Sequence, residues 1–477
     1  MTNPIREDLI NALFGPKRQE KKPKRRMKPV ARKNRLERQM EKMDPLNHNA
    51  AGLDIGSEEI YAAVPADRDQ NPVRAFKTFT QDLNELADWL QECGIDTVAM
   101  ESTGIYWVPI YEILQERGLE VYLVNARHMK NVPGRKKSDV FDSQWIQKLH
   151  TYGLLEASFR PSEEISALRS LIRHRDNLIR YRAAHIQHMQ KALLLMNLQL
   201  TLVVSDITGT TGLAIIRQII AGERDPDVLA TLRDPRCKRT EEEISKALEG
   251  HYKAEHVFEL SQALDLYDAY SSKMAECDAA IELKFQEFEV LHKDLPADRK
   301  RRRKRANDPD YDLRRYLYQI CGVDLTQVDG IGPGLAQTII SEIGTDMSRF
   351  KTVKHFCSWL GLSPQHEKSG GKVLKSKTKK TKSRANKAFR LAAQSAGKSK
   401  SAIGAFYRRI KSKKGAAMAI TATAHKIARI VYFMLKNQTP FEPHSQQDYD
   451  AAQRERAIAD LKRRARRLGF EVEAIAA

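Results

Sequence analysis

AGLDIGSEEIYAAVP, residues 51–65, decides how the chain folds. Apolar and polar residues alternate on both sides of a short turn, which reads as strand, turn, strand. VRAFKTFT (73–80) continues the alternation, so the opening comprises two or three short strands. QDLNELADWLQECG (81–94) then takes helical spacing, and DTVAMES (96–102) returns to strand. YWVPIYEILQERG (106–118) is helical, EVYLVN (120–125) is a buried strand, and KSDVFDSQWIQKLHTYG (137–153) opens another helix. Early strands followed by helix–strand–helix–strand–helix predict a mixed α/β sheet.

That order is the one found in ribonuclease-H-like nucleases. No G-x-G-x-x-G follows the first strand and no G-K-[ST] sits in a suitable loop, which argues against dinucleotide and P-loop nucleotide binding. Beyond Pro161 the pattern becomes heptad. Ile165, Leu168, Ile172, Arg175, Ile179, Arg182, Ile186, Met189, Leu193, Met196 and Leu200 fall on one seam. A second seam runs through Leu260, Leu264, Tyr267, Ser271, Met274, Asp278, Ile281, Phe285 and Phe288. Two such helices predict an antiparallel hairpin, a dimer interface, or both. Arg175, Arg182 and Asp278 on the seams are costly unless paired or left facing a partner, and read either as register or partner devices or as frayed seams.

The whole chain sets further bounds. Its 477 residues suffice for about three domains. Lys and Arg number 81 against 61 Asp and Glu, a net charge of +20 that calls for a polyanionic partner. The most apolar stretch, Ala192 to Val204, is too short to cross a bilayer. No signal core opens the sequence. The five cysteines are scattered, without a C-x-x-C pair, which excludes a zinc ribbon and suits a reducing compartment. These features predict a cytoplasmic, nucleoid-associated protein. Charge is clumped: residues 1–50 hold 14 Lys/Arg against 6 Asp/Glu and read as a basic flexible arm that touches phosphate. The expected divisions are the arm (1–50), an α/β domain (51–160), a coiled-coil or helical oligomerisation region (161–298), a basic linker (299–315), a mostly helical last domain (316–440) and a basic tail (441–477).

Four carboxylates are candidates for chemistry. Asp54 lies on the first strand in GLDIG, and Glu101 ends a later strand in MESTG. Asp139 and Asp142, i and i+3 at a helix start, project from the same face, although Asp139 alone suits a helix cap. Strand-end carboxylates beside a helical D-x-x-D pair form an oxygen-rich cage suited to Mg²⁺. Arg135, Lys136 and Lys137, in the loop before the pair, would lie beside a bound phosphate backbone. In the last domain, VDGIGPGLAQTIISEIG presents Gly330, Gly332 and Gly334 ahead of a helix, resembling a helix–hairpin–helix that grips phosphate through backbone N–H groups; a tight structural turn is the rival. Ser369 precedes Gly370-Gly371, where a hydroxyl can be exposed to a large substrate. Lys368 and Lys372 flank it, and composition alone makes it a phosphate contact, since no Ser-His-Asp arrangement is readable.

GLDIG, MESTG, KSDVFDSQW, VDGIGPGLA and GLSPQHEKSGGK, in this order, make the chain resemble the DEDD-type insertion-sequence transposases. These are bridge-RNA-guided serine recombinases related to the pilin-segment DNA invertases. The resemblance covers roughly residues 51–441. It implies a RuvC-like first domain in which Asp54, Glu101, Asp139 and Asp142 match the metal-binding tetrad. It further implies that Ser369 matches the serine that attacks DNA and forms a 5′-phosphoserine linkage. Other implied features are Mg²⁺, double-stranded donor and target DNA, a noncoding guide RNA, and a dimer or tetramer formed through the coiled coil, with a composite active site. The basic arm, a longer middle around 205–256, the basic tail and the lysine-rich stretch after Ser369 depart from the compact family pattern. A junction nuclease would need the carboxylates without Ser369, and a nucleic-acid-binding scaffold would need neither.

Overall fold

The computed structural model describes residues 43–102, 104–125, 138–297 and 305–473, excluding the side chains of Glu367, Lys368 and Lys375. Most of the basic arm, the loop with Arg135, Lys136 and Lys137, the basic run 299–304 and the Lys368 side chain therefore lie outside the described residues. The chain divides into two compact units, 1–159 and 160–477.

The first unit is built on a five-stranded mixed sheet. Its strands are β1 (Ala50–Ile55), β2 (Glu59–Ala63), β3 (Val73–Lys77), β4 (Thr97–Glu101) and β5 (Glu120–Val124), in the order β3-β2-β1-β4-β5. The β1-β2-β3 meander is antiparallel, whereas β1, β4 and β5 run parallel. Two helices, α1 (Thr80–Glu92) and α2 (Trp107–Glu116), supply the crossovers that parallel strands demand. A third, α3 (Asp139–Thr151), follows β5.

Strand alternation assigns the faces. Leu53, Ile55, Val98 and Met100 join Leu86, Leu90, Ile110 and Leu114 in the core beneath α1 and α2. Ala99 and Val124 instead pack with Trp145, Ile146 and Leu149 of α3. Because side chains alternate with period two, Gly52 and Asp54 of β1 share the α3 face with Ala99 and Glu101 of β4.

The second unit is helical apart from one hairpin. Its spine is a pair of 33-residue helices, α4 (Glu163–Leu195) and α9 (Ala254–Gln286). They run antiparallel: Arg175 pairs with Asp278, Arg182 donates to Ser271 Oγ at 3.2 Å, and Met189 and Leu193 share a core with Leu260 and Leu264. The two heptad seams therefore close on each other within one chain. The polar seam residues are partnered, as their burial requires: Arg175 also donates to the Asn307 carbonyl at 3.0 Å, and Arg182 to the Asn307 side chain at 2.6 Å.

Both seams are shorter than their patterns. α4 stops at Leu195 and Asn197 takes a left-handed φ of 57°, so Leu200 lies on a new short helix, α5 (Leu200–Val203). Beyond it α6 (Thr210–Ala221), α7 (Pro226–Ala230) and α8 (Glu241–Leu248) fold over the tip of the hairpin. A reciprocal Thr240–Glu243 capping box starts α8.

After the spine come α10 (Leu313–Cys321), α11 (Pro333–Ile343), α12 (Val353–Trp359), the strands β6 (Glu367–Ser369) and β7 (Lys372–Lys375), and α13 (Arg384–Ala396). α14 (Ala402–Lys414), α15 (Ala416–Asn437) and α16 (Gln446–Arg467) complete the unit. The segment read as a basic tail is thus mostly a 22-residue helix packed against α14. Among the described residues, no helix is long and apolar enough to cross a membrane.

Candidate functional site

The carboxyl end of the central strands meets the first turn of α3 through one glycine, which brings the candidate positions to one end of the sheet. A Cβ on Gly52 would stand 2.2 Å from the backbone nitrogen of Gln147 and 2.5 Å from the Ser143 carbonyl oxygen. Only glycine lets α3 lie this close to β1. The contacts also fix its direction. Gln147 Nε2 donates to the Ala50 carbonyl at 3.3 Å, and Asn47 Nδ2 to the His150 carbonyl at 2.8 Å. α3 therefore runs antiparallel to β1, and its N-terminus lies at the end of β1 that carries Asp54.

The parallel register pairs Leu53 with Met100, so the next step sets Asp54 level with Glu101 on the α3 face. Asp139, Ser143 and Gln147 form one i, i+4, i+8 stripe facing the sheet. Asp142 follows one turn on and is half-buried, as are Asp54 and Glu101; Asp139 is exposed. Ser138, not Asp139, caps the helix: its hydroxyl accepts from the Phe141 amide at 3.4 Å. The capping alternative for Asp139 is thereby removed, and both aspartates sit in the first turn, where the helix dipole favours negative charge.

Two residues that the sequence reading passed over border this end. Tyr61 is the cross-strand partner of Asp54. Its hydroxyl donates to the Glu59 carboxylate at 3.2 Å, which with the charges of Glu59 and, more weakly, Asp139 holds the phenol above its ordinary range. The clue was DIGSEEIY: a tight turn at Gly56, whose amide bonds the Glu59 carbonyl at 3.0 Å, must return Tyr61 beside Asp54. His150 is also buried, but at the opposite end of the sheet, where its Nε2 lies 2.8 Å from Thr97 Oγ1.

The donor set is chemically suited to a hard divalent cation, since every member is a carboxylate. Among the described residues, no three His, Cys, Asp or Glu side chains stand close enough to grip an ion. The four carboxylates line one sheet end, short of a closed cage.

In the second unit, Ser369 ends β6 and faces Lys372 across a two-residue turn. Gly370 and Gly371 have φ of 54° and 77°, the left-handed pair that such a turn demands. This places Ser369 and Lys372 at the exposed tip of a β-hairpin. The glycine-rich loop lies elsewhere, after a short 3₁₀ turn (Leu325–Gln327) that follows α10. Gly330 has φ of 95°, and a Cβ there would meet the Ala392 carbonyl oxygen at 2.2 Å, so its need for glycine is structural. Gly332 caps α11, and around Gly334 the space is open. The loop borders a cleft of about 1070 Å³ that is also lined by Arg305, Asp308, Asp312 and Arg314. Its charge is mixed, a feature the glycine spacing gave no sign of.

Residues 51–197 match the family model DEDD_Tnp_IS110, a transposase, and residues 322–408 match that of the transposase IS116/IS110/IS902 family. The chain belongs to the IS110 family of DEDD-type transposases. The first match contains Asp54, Glu101, Asp139 and Asp142, and the second contains the glycine loop and Ser369. An IS110-type transposase is a mobile-element enzyme that acts on DNA. A search of curated proteins found no match.

Proposed function

We propose that this transposase cuts and rejoins DNA through a covalent serine intermediate, using Asp54, Glu101, Asp139 and Asp142 as a metal-binding tetrad and Ser369 as the nucleophile. The observation that carries the reading is the convergence of Asp54, Glu101 and the first turn of α3 on one end of the sheet, imposed by Gly52 and the β1–β4 register. Ser369 supports it by its place at a hairpin tip, where the backbone of a large substrate meets no obstruction.

Mg²⁺ is the proposed ion, and when bound it supplies positive charge to the non-bridging oxygens of the scissile phosphate. The Ser369 oxygen attacks phosphorus; a serine–phosphate bond forms, the bond to the 3′-oxygen breaks, and the serine proton ends on the released 3′-hydroxyl. One phosphoester replaces another, so religation needs no ATP. Lys372, exposed beside Ser369, screens the phosphate charge during approach, and Lys368 is assigned the same role. Arg135, Lys136 and Lys137 are assigned to the DNA backbone at the tetrad end. Gly330, Gly332 and Gly334 are assigned to phosphate contact through α11. Donor and target duplexes as substrates, a noncoding guide RNA, and a dimer or tetramer that completes a composite site belong to the same proposal.

The test is mass spectrometry of the peptide that holds Ser369, on protein purified from cells carrying the gene with its native flanking DNA. A nucleotide joined to Ser369, absent from Ser369→Ala and from Asp54→Ala, is the expected result. Metal-dependent cutting without an adduct, equal in Ser369→Ala, would replace the serine step with direct hydrolysis.

A further inference from the structure

A cluster of cations lies where α14, α15 and α16 meet. Two aromatic rings organise it, Phe406 from α14 and Tyr449 from α16. Lys426 Nζ, from α15, stands 5.0 Å from the Phe406 ring centre and 5.7 Å from that of Tyr449. The Arg409 guanidinium, from α14, stands 5.9 and 5.7 Å from the same two rings. Arg456, one α16 residue seven positions beyond Tyr449, adds a third positive charge that acts on Lys426. Burial, Arg456 and Arg409 together push the Lys426 ammonium below its ordinary pKa.

Ordinary packing leaves this arrangement incomplete. Among the described residues, no carboxylate forms an ion pair with Arg409, Lys426 or Arg456, although elsewhere in the unit Arg173 and Arg384 share Glu342. Cation–π contact offsets part of the cost. Ring faces, however, accept no conventional hydrogen bond from these donors. Arg409 Nε and the Tyr449 hydroxyl, on side chains in contact with each other, are both buried without a partner, an expensive state for two donors. Three positive groups and two unpartnered donors share one need, an anion with several oxygens.

We infer that the joint of α14, α15 and α16 is a phosphate-binding site for the nucleic-acid backbone, formed by Arg409, Lys426, Tyr449 and Arg456. A phosphodiester has the required charge and two free oxygens, enough to accept from Arg409 Nε and from Tyr449. Past Arg456, the exposed residues Lys462, Arg466 and Arg467 extend the positive charge along α16, so the joint begins a track for a polyanion. All four residues lie beyond residue 408, outside both matched regions, so the family relationship does not supply this site. The inference rests on nucleic acid being the transposase's substrate, but not on the serine chemistry.

The full-length protein tests it in three arms. In the first, thermal unfolding is followed with increasing inorganic phosphate. The wild type gains stability, whereas Arg409→Gln/Lys426→Gln does not, and without phosphate the variant melts no lower because two repelling charges are gone. In the second and third, binding of a duplex DNA and of an RNA hairpin is measured across a range of salt. The double variant shows a log–log salt slope shallower by about 1, with Tyr449→Phe weakening binding several-fold while keeping the ring. Loss on DNA alone, on RNA alone or on both supports the site and names the strand it holds. The inference is overturned if phosphate stabilises neither protein and both slopes are unchanged, or if the variant is simply less stable at every phosphate concentration. Adduct formation at Ser369 is measured separately, so failure of this site leaves the family assignment and the serine reading standing.

Discussion

His150 shows how one side chain ties the first unit's stability to pH. It is almost fully buried between Thr97, whose hydroxyl lies 2.8 Å from Nε2, and the Tyr122 ring, whose centre is 4.7 Å away. Desolvation lowers its pKa to about 4, with the more distant Asp96 opposing. In the unfolded chain the ring titrates near 6.5, so between these values the unfolded state binds the extra proton. Stability is therefore complete above about pH 6.5 and is lost as pH falls towards 4, by on the order of 3 kcal/mol. Urea unfolding at pH 7 and pH 4.5 should show this loss in the wild type and a smaller one in His150→Gln. Equal losses would place the acid sensitivity elsewhere. This role was hidden in the sequence because Thr97 lies 53 residues away and neither residue breaks its local pattern. Asp54 and Glu101 could be singled out as candidates for the opposite reason: each is a carboxylate beside apolar residues near a strand end, visible within its own segment.

At the scale of elements, the strand and helix order of the first unit could be read because apolar period switches between two and 3.6 at each boundary. The spine helices were equally legible, but their ends were not. The heptad run continues through Met196 to Leu200, and nothing in its periodicity announces the left-handed Asn197 that stops α4. Nor did periodicity disclose that Gly52 is the hinge of the candidate site. GLDIG reads as a strand with a turn, yet its first glycine is occupied by the approach of α3, and its second makes the turn to β2. Gly52→Val should push α3 off β1 and displace Asp139 and Asp142 from Asp54 while leaving every carboxylate in place. The expected cost is several kcal/mol in chemical unfolding, since the obstacle is backbone rather than a side chain that can swing away. DNA cutting should fall to the level of Asp54→Ala, and a Gly52→Val protein that cuts normally would detach α3 from the site.

Across the whole molecule, charge is divided in a way that the net value conceals. Residues 51–160 hold 11 Lys/Arg against 17 Asp/Glu, so the part that carries the four candidate carboxylates is acidic in a chain of net charge +20. Five of those eleven cations fall between residues 127 and 137, immediately before the Asp139–Asp142 pair. An acidic domain repels a polyanion, most of all where carboxylates gather at one end of its sheet. DNA must then be delivered to it by the positive charge elsewhere. The first 50 residues, with an excess of eight positive charges, are the densest source. Each phosphate neutralised contributes about 0.9 to the slope of log affinity against log salt. Removing residues 1–45 should therefore lower that slope by several units and weaken duplex binding most at low salt. The truncated protein should keep its melting temperature and its ability to form the Ser369 adduct at saturating DNA. Anisotropy titrations from 50 to 300 mM NaCl would decide it. An unchanged slope would mean that the arm makes no phosphate contact and that the second unit alone overcomes the tetrad's repulsion.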